Sequence, residues 1–317
     1  MKETLIVWFK AARAPFLVVS LIPSVLGGLI AWHRGSFDGL LFGLVTLGVV
    51  MAHSAADFID DYFDFKKGNL GNKEKQFHDS PLIDGKVTPG QVLLAALLCL
   101  AVAAATGLYA LLAAGMPVVY LMVAGGFIVF FYTSPPFMLN YRGLGETALF
   151  LGFGPLIVFG VYFVLHAQLH WEPILLGAVL GIFTMNIGLV SNTFDHDDDV
   201  RSGKRTLALR LGQANAVRFL AAGSVAAYAV LVAAVLAGLA TPWSLLALLA
   251  APLAVATVRR TSLFADTANY TAAMTSAIAL SSVSGILLCA GYGIAIALQW
   301  PLADRHSAGM AVLRAVR

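Results

Sequence analysis

Apolar residues run along this chain in long stretches that are separated by short polar segments. A helix needs roughly 20 apolar residues to cross the hydrocarbon core of a bilayer, and nine stretches approach this length. They lie near residues 14–32, 39–58, 91–113, 117–134, 146–166, 173–195, 214–238, 241–258 and 273–299. The pattern predicts an all-α membrane protein that consists of a bundle of nine transmembrane helices.

The composition agrees with this pattern and excludes a water-soluble enzyme. The 317 residues are 59% hydrophobic and only 12% charged, whereas soluble domains average about 45–50% apolar and about 25% charged residues. A single transmembrane domain is expected over residues 1–303, followed by a short tail over residues 304–317. The lipid bilayer is the expected environment, and neither a nucleic acid nor a protein partner is inferred.

Basic residues are divided unevenly between the two sides of the predicted bundle. If successive loops alternate between the sides, 16 of the 20 Lys and Arg residues lie on the side of the N-terminus. Loops that are rich in Lys and Arg face the cytoplasm. The N-terminus is therefore predicted to be cytoplasmic and the C-terminus to lie outside, which requires an odd number of spans.

Acidic residues concentrate in two short stretches, 57–64 and 195–199, which together hold eight of the 17 acids. Each residue of a helix advances by about 100°. If the second predicted span continues as a helix, the four acids of the first stretch share an arc of about 100°. These acids are Asp57, Asp60, Asp61 and Asp64. Carboxylates so close together raise one another's pKa unless a cation keeps them ionised, so the pattern predicts a divalent metal site.

The second acidic stretch has the same helical spacing. Asn192, Asp195 and Asp199 share one helix face, whereas Asp197 and Asp198 fall outside it and are expected to be solvated. Mg²⁺ prefers oxygen ligands and is commonly held by one or two carboxylates together with substrate phosphates. We therefore expect Mg²⁺ as the cofactor. The predicted metal ligands are Asp57, Asp60, Asp61, Asp64, Asp195 and Asp199.

Basic residues follow each acidic stretch directly. Lys66 and Lys67 follow the first stretch, and Arg201, Lys204 and Arg205 follow the second. Carboxylates, a metal ion and Lys or Arg side chains together suit a di- or triphosphate, whose charge has to be neutralised. In a membrane bundle this indicates an allylic prenyl diphosphate, because its diphosphate becomes a good leaving group on a metal and its tail is apolar.

The sequence from about Trp8 to Gly212 resembles the UbiA superfamily of intramembrane aromatic prenyltransferases. Residues 60–64 (Asp-Asp-Tyr-Phe-Asp) are similar to the first Asp-rich motif of that superfamily. Asp195 and Asp199, with the Gly-Lys-Arg-Thr-Leu run at 203–207, are similar to the second. Within the superfamily the chain most resembles the 1,4-dihydroxy-2-naphthoate polyprenyltransferases of menaquinone synthesis. That likeness is carried by residues 8–13, 61–68, 141–146 and 153–156.

The resemblance implies transfer of a polyprenyl group from a prenyl diphosphate to an aromatic acceptor, 1,4-dihydroxy-2-naphthoate, with two Mg²⁺ ions. It implies a bacterial inner-membrane protein whose active site faces the cytoplasm. The residues that it implies to be catalytic are Asp60, Asp64, Asp195 and Asp199. The resemblance also implies that Tyr141 and Arg142 border the active site. Together with residues that their position near the acids indicates, the predicted substrate-binding residues are Asn192, Lys66, Lys67, Tyr141, Arg142, Lys204, Arg205 and Tyr62.

Several positions depart from the pattern of the naphthoate enzymes. Asp57 and Asp60 stand where Asn is usual, Asn140 stands where a Lys often precedes the tyrosine, and Leu70 stands where Asp is common. Alternative acceptors are therefore 4-hydroxybenzoate and a glycerol-phosphate lipid.

Two rival functions come from other classes of membrane protein. A cation-coupled transporter would place carboxylates near the bilayer midplane on broken helices, whereas the acids here end predicted helices beside basic loops. A CDP-alcohol phosphotransferase would be expected to have one Asp-rich helix region instead of two. The prenyltransferase therefore remains the favoured prediction.

Overall fold

A computed structural model describes residues 2–68 and 80–301 of the chain. The predicted tail over residues 304–317 and the middle of the loop after the first acidic stretch lie outside these residues. Within the described ranges every regular element is helical, which confirms the all-α prediction.

Thirteen α-helices form the described bundle. They are α1 (Lys2–Ala11), α2 (Val18–His33), α3 (Gly39–Lys66), α4 (Pro89–Ala114), α5 (Pro117–Phe131), α6 (Gly145–Leu151), α7 (Ile157–His166), α8 (Trp171–Phe194), α9 (His196–Ser202), α10 (Leu207–Leu211), α11 (Gln213–Leu236), α12 (Ala251–Thr261) and α13 (Tyr270–Ala297). Short 3₁₀ segments lie at Ala14–Leu17, Leu139–Arg142, Pro242–Ala250 and Thr267–Asn269, and a π-helical segment lies at Gly152–Leu156.

Eight helical segments of the described chain are long and apolar enough to cross a membrane. They are Ala14–His33, Gly39–Lys66, Pro89–Ala114, Gly145–His166, Trp171–Phe194, Gln213–Leu236, Pro242–Thr261 and Thr267–Ala297. The stretch predicted near residues 117–134 forms α5, which has only 15 residues. At 1.5 Å per residue it is about 22 Å long, shorter than a hydrocarbon core of about 30 Å. Nine complete spans therefore stay a prediction.

Helix α3 carries the whole first acidic stretch. The Asp38 carboxylate caps its first turn by accepting a hydrogen bond from the Leu41 N–H at 2.9 Å. The helix then runs without interruption through Asp64 and ends at Lys66, just before Gly68, whose φ of 69° leaves the helical region. This confirms the prediction that the helix continues through residues 57–64, so the four acids share one face of α3.

Small residues allow α8 to pack closely against the π-helical segment between α6 and α7. A Cβ atom on Gly154 would lie 2.4 Å from the Gly177 carbonyl oxygen and 2.6 Å from the Gly181 Cα. Pro155 in the same segment has no N–H to donate, which favours the wider helical turn. Because backbones meet here directly, Phe153 is held in a fixed place facing the interior.

A buried polar group ties the helices together at the end of the bundle away from the acids. Glu172 is 1% exposed and accepts hydrogen bonds from Arg34 Nε at 2.7 Å and from the Tyr292 hydroxyl. Nearby, His33 Nε2 lies 2.7 Å from the Trp300 carbonyl oxygen. The described chain thus begins near the acids and finishes at the opposite end of the bundle.

Candidate active site

Both acidic stretches face one cavity of about 560 Å³. The predicted site residues that line it are Asp57, Asp60, Asp64, Asp195, Asp199, Asn192, Lys67 and Lys204. Helix α3 supplies the first group of carboxylates and the junction of α8 and α9 supplies the second. The two faces that were calculated from helical spacing therefore meet across a common space.

Lys204 connects the two acidic stretches. Its Nζ atom lies 3.4 Å from Asp64 Oδ2 and 3.9 Å from Asp199 Oδ1. Burial acts to lower the pKa of Lys204, but the carboxylates of Asp64, Asp199 and Asp60 outweigh it, so the pKa lies above its ordinary value. The ammonium group therefore remains charged between the carboxylates.

Tyr141 approaches the same carboxylate from the loop between α5 and α6. Its hydroxyl donates a hydrogen bond to Asp64 Oδ1 at 2.7 Å. The Lys67 ammonium lies 3.7 Å from the centre of the Tyr141 ring, which is a cation–π distance. Burial, opposed by Asp64 and assisted by the charge of Lys204, lowers the pKa of Lys67. Tyr141 thus orients Asp64 and supports a lysine at the rim of the cavity.

Arg13, which was not among the predicted site residues, pairs with the first acidic stretch. Its guanidinium donates to Asp61, and Nη1 lies 3.9 Å from Asp60 Oδ2. Asp61 stands at the edge of the acidic arc and does not line the cavity. Arg13 lies between α1 and α2 and has a φ of 45°, a left-handed conformation that a non-glycine residue seldom adopts.

The second acidic stretch crosses a break between two helices. Helix α8 ends at Phe194, and Asp195 separates it from α9. Helical hydrogen bonds continue across the break, because the Asp195 N–H donates to Ser191 O at 3.1 Å and the Asp199 N–H donates to Asp195 O at 2.8 Å. The break therefore leaves Asn192, Asp195 and Asp199 on one face. Asp197 and Asp198 are exposed, as predicted, but Asp198 also lines the cavity, which the helical angles did not indicate.

Glu146 is a supporting residue that the sequence prediction omitted. It is 2% exposed, and its Oε1 accepts hydrogen bonds from Asn192 Nδ2 at 2.9 Å and from the Leu207 N–H at 3.2 Å. One carboxylate thereby positions the amide of the second acidic stretch and the start of α10. The sequence did contain a signal for Glu146, because this residue lies in the segment 141–146 that carries part of the family likeness.

Six predicted site residues do not line the cavity, although Tyr141 reaches it through its hydrogen bond to Asp64. They are Asp61, Tyr62, Lys66, Tyr141, Arg142 and Arg205. Tyr62 and Lys66 fall about 140° and 180° from Asp57 on α3, and the Lys66 ammonium lies 4.6 Å from the Tyr62 ring centre. The exposed Arg142 side chain donates to Pro136 O at 2.9 Å. The helical angles that place the acids on one face of α3 also place Tyr62 and Lys66 outside that face.

The carboxylates suit a hard divalent cation by their chemistry. No group of three or more His, Cys, Asp or Glu side chains is arranged to hold an ion within residues 2–68 and 80–301, and Lys204 bridges two of the acids. Asp57 Oδ2 and Asp60 Oδ1 are nevertheless buried and accept no hydrogen bond within those ranges. Buried carboxylate oxygens without donors are the ligands that Mg²⁺ prefers, so the residues fit the predicted metal.

An apolar cavity of about 420 Å³ adjoins the acidic one. Helices α3, α4, α5 and α7 line it, and four residues border both cavities. They are His53, Ala56, Ile128 and Phe153. Six glycines also line the apolar cavity. At four of them, positions 125, 126, 152 and 160, an added Cβ atom would meet no atom closer than 3.6 Å, so the cavity is open there. A charged compartment and an apolar one therefore meet inside the bundle.

A helical membrane bundle in which two Asp-rich motifs and basic side chains share a cavity, beside an apolar one, is typical of intramembrane prenyltransferases. The chain belongs to the UbiA prenyltransferase family, whose model matches residues 20–283. It is accordingly an integral membrane prenyltransferase.

Relatives and a solved structure extend this finding. The chain is 27% identical over 286 residues to a 1,4-dihydroxy-2-naphthoate octaprenyltransferase of Bacillus subtilis, with 90% of this chain and 91% of that protein covered. It is 32% identical over 255 residues to the Mycobacterium tuberculosis protein of the same name, with 78% and 83% covered. A UbiA homolog from Archaeoglobus fulgidus bound to GPP and Mg²⁺ has the same fold, with a TM-score of 0.64, 16% identity, and 92% and 99% coverage.

Proposed function

We propose that this prenyltransferase transfers a polyprenyl group from an allylic prenyl diphosphate to 1,4-dihydroxy-2-naphthoate, with Mg²⁺ as its cofactor. The observation that carries the proposal is the junction of the acidic cavity with the apolar one. A diphosphate with neutralising cations suits the first cavity, and a hydrocarbon tail suits the second. The names of the B. subtilis and M. tuberculosis relatives support the acceptor.

The donor headgroup belongs among the two acidic stretches in this proposal. Asp60, Asp64, Asp195 and Asp199 would hold two Mg²⁺ ions, and Asp57 lines the same wall. When bound, Mg²⁺ neutralises the diphosphate and stabilises it as a leaving group. Lys204 and Lys67 have ammonium groups at the cavity that donate to phosphate oxygens. Tyr141 keeps Asp64 in position through its hydroxyl.

The prenyl tail belongs in the apolar cavity. Its walls from α3, α4, α5 and α7 carry almost no charge, so a hydrocarbon tail is accommodated there without burial of a polar group. Because Ala56, Ile128 and Phe153 border both cavities, the first carbon of the tail would lie beside them. The carbon–oxygen bond that breaks is then at the junction.

The aromatic acceptor belongs on the less polar side of the acidic cavity. Val19, Ile187, Tyr270 and Met274 line the cavity and belong to one buried apolar cluster, which provides an apolar surface for a planar ring. The acceptor ring carbon that bears the carboxyl group forms a bond to the allylic carbon, and diphosphate leaves with the electrons of the broken carbon–oxygen bond. The ring then loses CO₂, together with the carboxyl proton if the acid is protonated, and becomes aromatic again.

The acidic end of the bundle is placed at the cytoplasmic face of a bacterial inner membrane in this proposal. The excess of Lys and Arg on the N-terminal side supports that orientation. Arg13, which lies near the start of the chain, contacts Asp61 at that same end. Donor and acceptor would therefore both be bound from the cytoplasmic leaflet.

The decisive experiment is an acceptor panel with the purified protein in lipid nanodiscs and Mg²⁺. Labelled geranyl and longer prenyl diphosphates are offered with 1,4-dihydroxy-2-naphthoate, 4-hydroxybenzoate or a glycerol-phosphate lipid, and products are identified by mass. We expect a prenylated naphthalene diol that has lost CO₂. Asp64→Asn and Asp199→Asn should abolish the product, whereas Asp197→Asn, at an exposed position, should not.

Two results would overturn the proposal. One is that no aromatic acceptor is prenylated by the wild-type protein. The other is that product formation survives in both Asp64→Asn and Asp199→Asn. Prenylation of 4-hydroxybenzoate or of the glycerol lipid alone would reject the naphthoate acceptor and retain the metal–diphosphate chemistry.

A further inference from the structure

His53 stands at the junction of the acidic and apolar cavities and lines both. Its ring packs edge-on against Phe153, with the ring centres 4.5 Å apart and an interplanar angle of 72°. On α3 it precedes Asp57 by one turn and falls about 320° around the helix from it, on the face that carries the acids. His53 therefore faces the place where the proposed reaction forms its bond.

Ser20 determines which nitrogen of His53 carries the proton. The Ser20 hydroxyl donates its single proton to the Leu17 carbonyl oxygen at 3.0 Å. The same hydroxyl oxygen lies 2.9 Å from His53 Nδ1, so it accepts a hydrogen bond from Nδ1–H. In the neutral imidazole the other nitrogen, Nε2, then has an unshared electron pair and acts as an acceptor.

A second acceptor lies beside Nε2. Asp57 Oδ2 is 3.6 Å from His53 Nε2, which is longer than a hydrogen bond. The Asp57 oxygen is also buried and accepts no hydrogen bond within the described ranges of the chain. Two acceptors thus lie side by side at the cavity wall. A hydroxyl group on a ligand has one proton to donate and would satisfy His53 Nε2, which leaves Asp57 Oδ2 available to a cation.

The apolar lining of the cavity indicates what kind of ligand supplies that donor. Val19, Ile187 and Met274 line the same cavity as His53 and belong to a buried apolar cluster, and Phe153, which contacts His53, packs against that cluster. A planar aromatic ring fits such a wall, and a hydroxyl group on the ring would be its donor. The phosphate oxygens of the prenyl donor are acceptors and are poor partners for this pair.

We infer that His53 Nε2 binds a ring hydroxyl of the aromatic acceptor, beside the Asp57 carboxylate. The inference rests on the proposed function and identifies the residues that recognise its second substrate. The hydroxyl donates to Nε2, and this hydrogen bond raises the electron density of the ring and turns its reacting carbon toward the allylic carbon. No proton has to be transferred in this step.

The test measures acceptor KM and kcat for the wild type, His53→Phe and His53→Gln with geranyl diphosphate and 1,4-dihydroxy-2-naphthoate. Phe keeps an aromatic ring but removes the acceptor nitrogen, so acceptor KM should rise roughly tenfold to a hundredfold, the range for a lost hydrogen bond in a charged setting. Gln offers an amide oxygen and should restore part of the loss. The KM for geranyl diphosphate should stay unchanged.

Acceptor analogues distinguish recognition from a merely structural role. The two monohydroxy-2-naphthoates each lack one ring hydroxyl. For the analogue that lacks the recognised hydroxyl, KM should be high in the wild type and equally high in His53→Phe. For the other analogue, His53→Phe should raise KM by the same factor as it does for 1,4-dihydroxy-2-naphthoate.

Two further variants keep the result interpretable. Ser20→Ala removes the partner of Nδ1 and should raise acceptor KM by a smaller factor, roughly threefold to tenfold. His166→Phe makes the same exchange near the far end of the bundle, where His166 Nδ1 lies 2.9 Å from Ser36 Oγ, and should leave acceptor KM unchanged. Thermal unfolding and binding of geranyl diphosphate with Mg²⁺ report whether each variant is folded.

Failure of this inference differs from failure of the proposed function. An acceptor KM that is unchanged in folded His53→Phe and in Ser20→Ala, with normal product from the wild type, would overturn the inference alone. The inference would also be overturned if His53→Phe raised the KM of both analogues by the same factor. Absence of any aromatic product from the wild type would overturn the proposed function and the inference with it.

Discussion

Lys204 Nζ lies 3.4 Å from Asp64 Oδ2, which joins two residues that are 140 positions apart. The same ammonium group is 3.9 Å from Asp199 Oδ1, so one cation serves both acidic stretches. The loop that follows α9 is thereby anchored to α3. An ammonium group in this position would meet a diphosphate at the moment when both acidic stretches engage it.

Replacement of Lys204 tests this role. Lys204→Met removes the charge, so we expect kcat/KM for the prenyl diphosphate to fall roughly tenfold to a hundredfold, in line with a lost charge-assisted hydrogen bond. Lys204→Arg keeps the charge and should retain more activity. Lys86→Met, at an exposed ion pair with Asp84, is the matched control. Steady-state kinetics at saturating acceptor would contradict the prediction if the Met variant matched the control.

The lowered pKa of Lys67 predicts a pH dependence. Burial lowers the pKa of Lys67 below its ordinary value, so the folded protein loses this proton before the unfolded chain does. In the window between the two pKa values the unfolded state binds more protons, and the contribution of Lys67 to stability therefore rises with pH. Donor affinity should fall in that same window because a positive charge at the cavity is lost.

Lys67→Arg separates these two effects. Arg stays charged in proteins, so its donor KM should remain flat to higher pH than that of the wild type. Profiles of donor KM and of thermal unfolding, recorded side by side as the pH rises, provide the measurement. An alkaline rise in donor KM that is identical in both proteins would assign the titration to another group.

Glycines of the apolar cavity predict control of the prenyl length. A Cβ atom on Gly126 would have no neighbour within 4 Å, and one on Gly160 would meet only Leu121 at 3.9 Å. A Cβ atom is therefore tolerated at both positions, and Gly126→Leu and Gly160→Leu place a larger side chain at the cavity wall. Transfer of long prenyl groups should fall roughly tenfold or more while geranyl transfer persists.

Gly43→Leu is the control for the length experiment. Gly43 also has no neighbour within 4 Å of an added Cβ, but it does not line the apolar cavity. Its product distribution should match that of the wild type when donors of different length compete in one reaction. If all three variants shift the distribution alike, the tail does not occupy this cavity.

Glu146 offers a test of the support beneath the second acidic stretch. Glu146→Ala leaves Asn192 and the Leu207 N–H without their shared acceptor, and should lower the free energy of unfolding by about 1–3 kcal/mol and reduce activity. Glu146→Gln keeps an acceptor oxygen and should be milder. Thermal unfolding and kcat are the measurements, and equal behaviour of the two variants would argue against this role.

The polar group at the far end of the bundle should affect stability alone. Tyr292→Phe removes one donor from the buried Glu172, which keeps its contact with Arg34 Nε at 2.7 Å. We expect a loss of about 1–3 kcal/mol in the free energy of unfolding. The kinetic constants should not change at temperatures where the variant is folded. A large change in donor or acceptor KM would reveal a connection between the two ends.

Local spacing was sufficient to predict which acids share a helix face. The acids of α3 share a face because one uninterrupted helix carries them, and helical spacing alone is enough to show this. The contacts of Arg13, Tyr141 and Lys204 with those acids depend on loops that meet only in the folded bundle. His53 was within reach of the same arithmetic, since it precedes Asp57 by four residues. A role for His53 could be proposed only from the structure, which shows that it lines both cavities.

The shortness of α5 has a consequence for water in the proposed reaction. The helix is about 8 Å shorter than a typical hydrocarbon core, and the chain that follows it brings Tyr141 to Asp64. Under the proposed function, the Tyr141 hydroxyl occupies an oxygen of Asp64 where a water molecule would otherwise bind. Fewer water molecules beside an allylic cation would favour alkylation of the aromatic ring over hydrolysis of the donor.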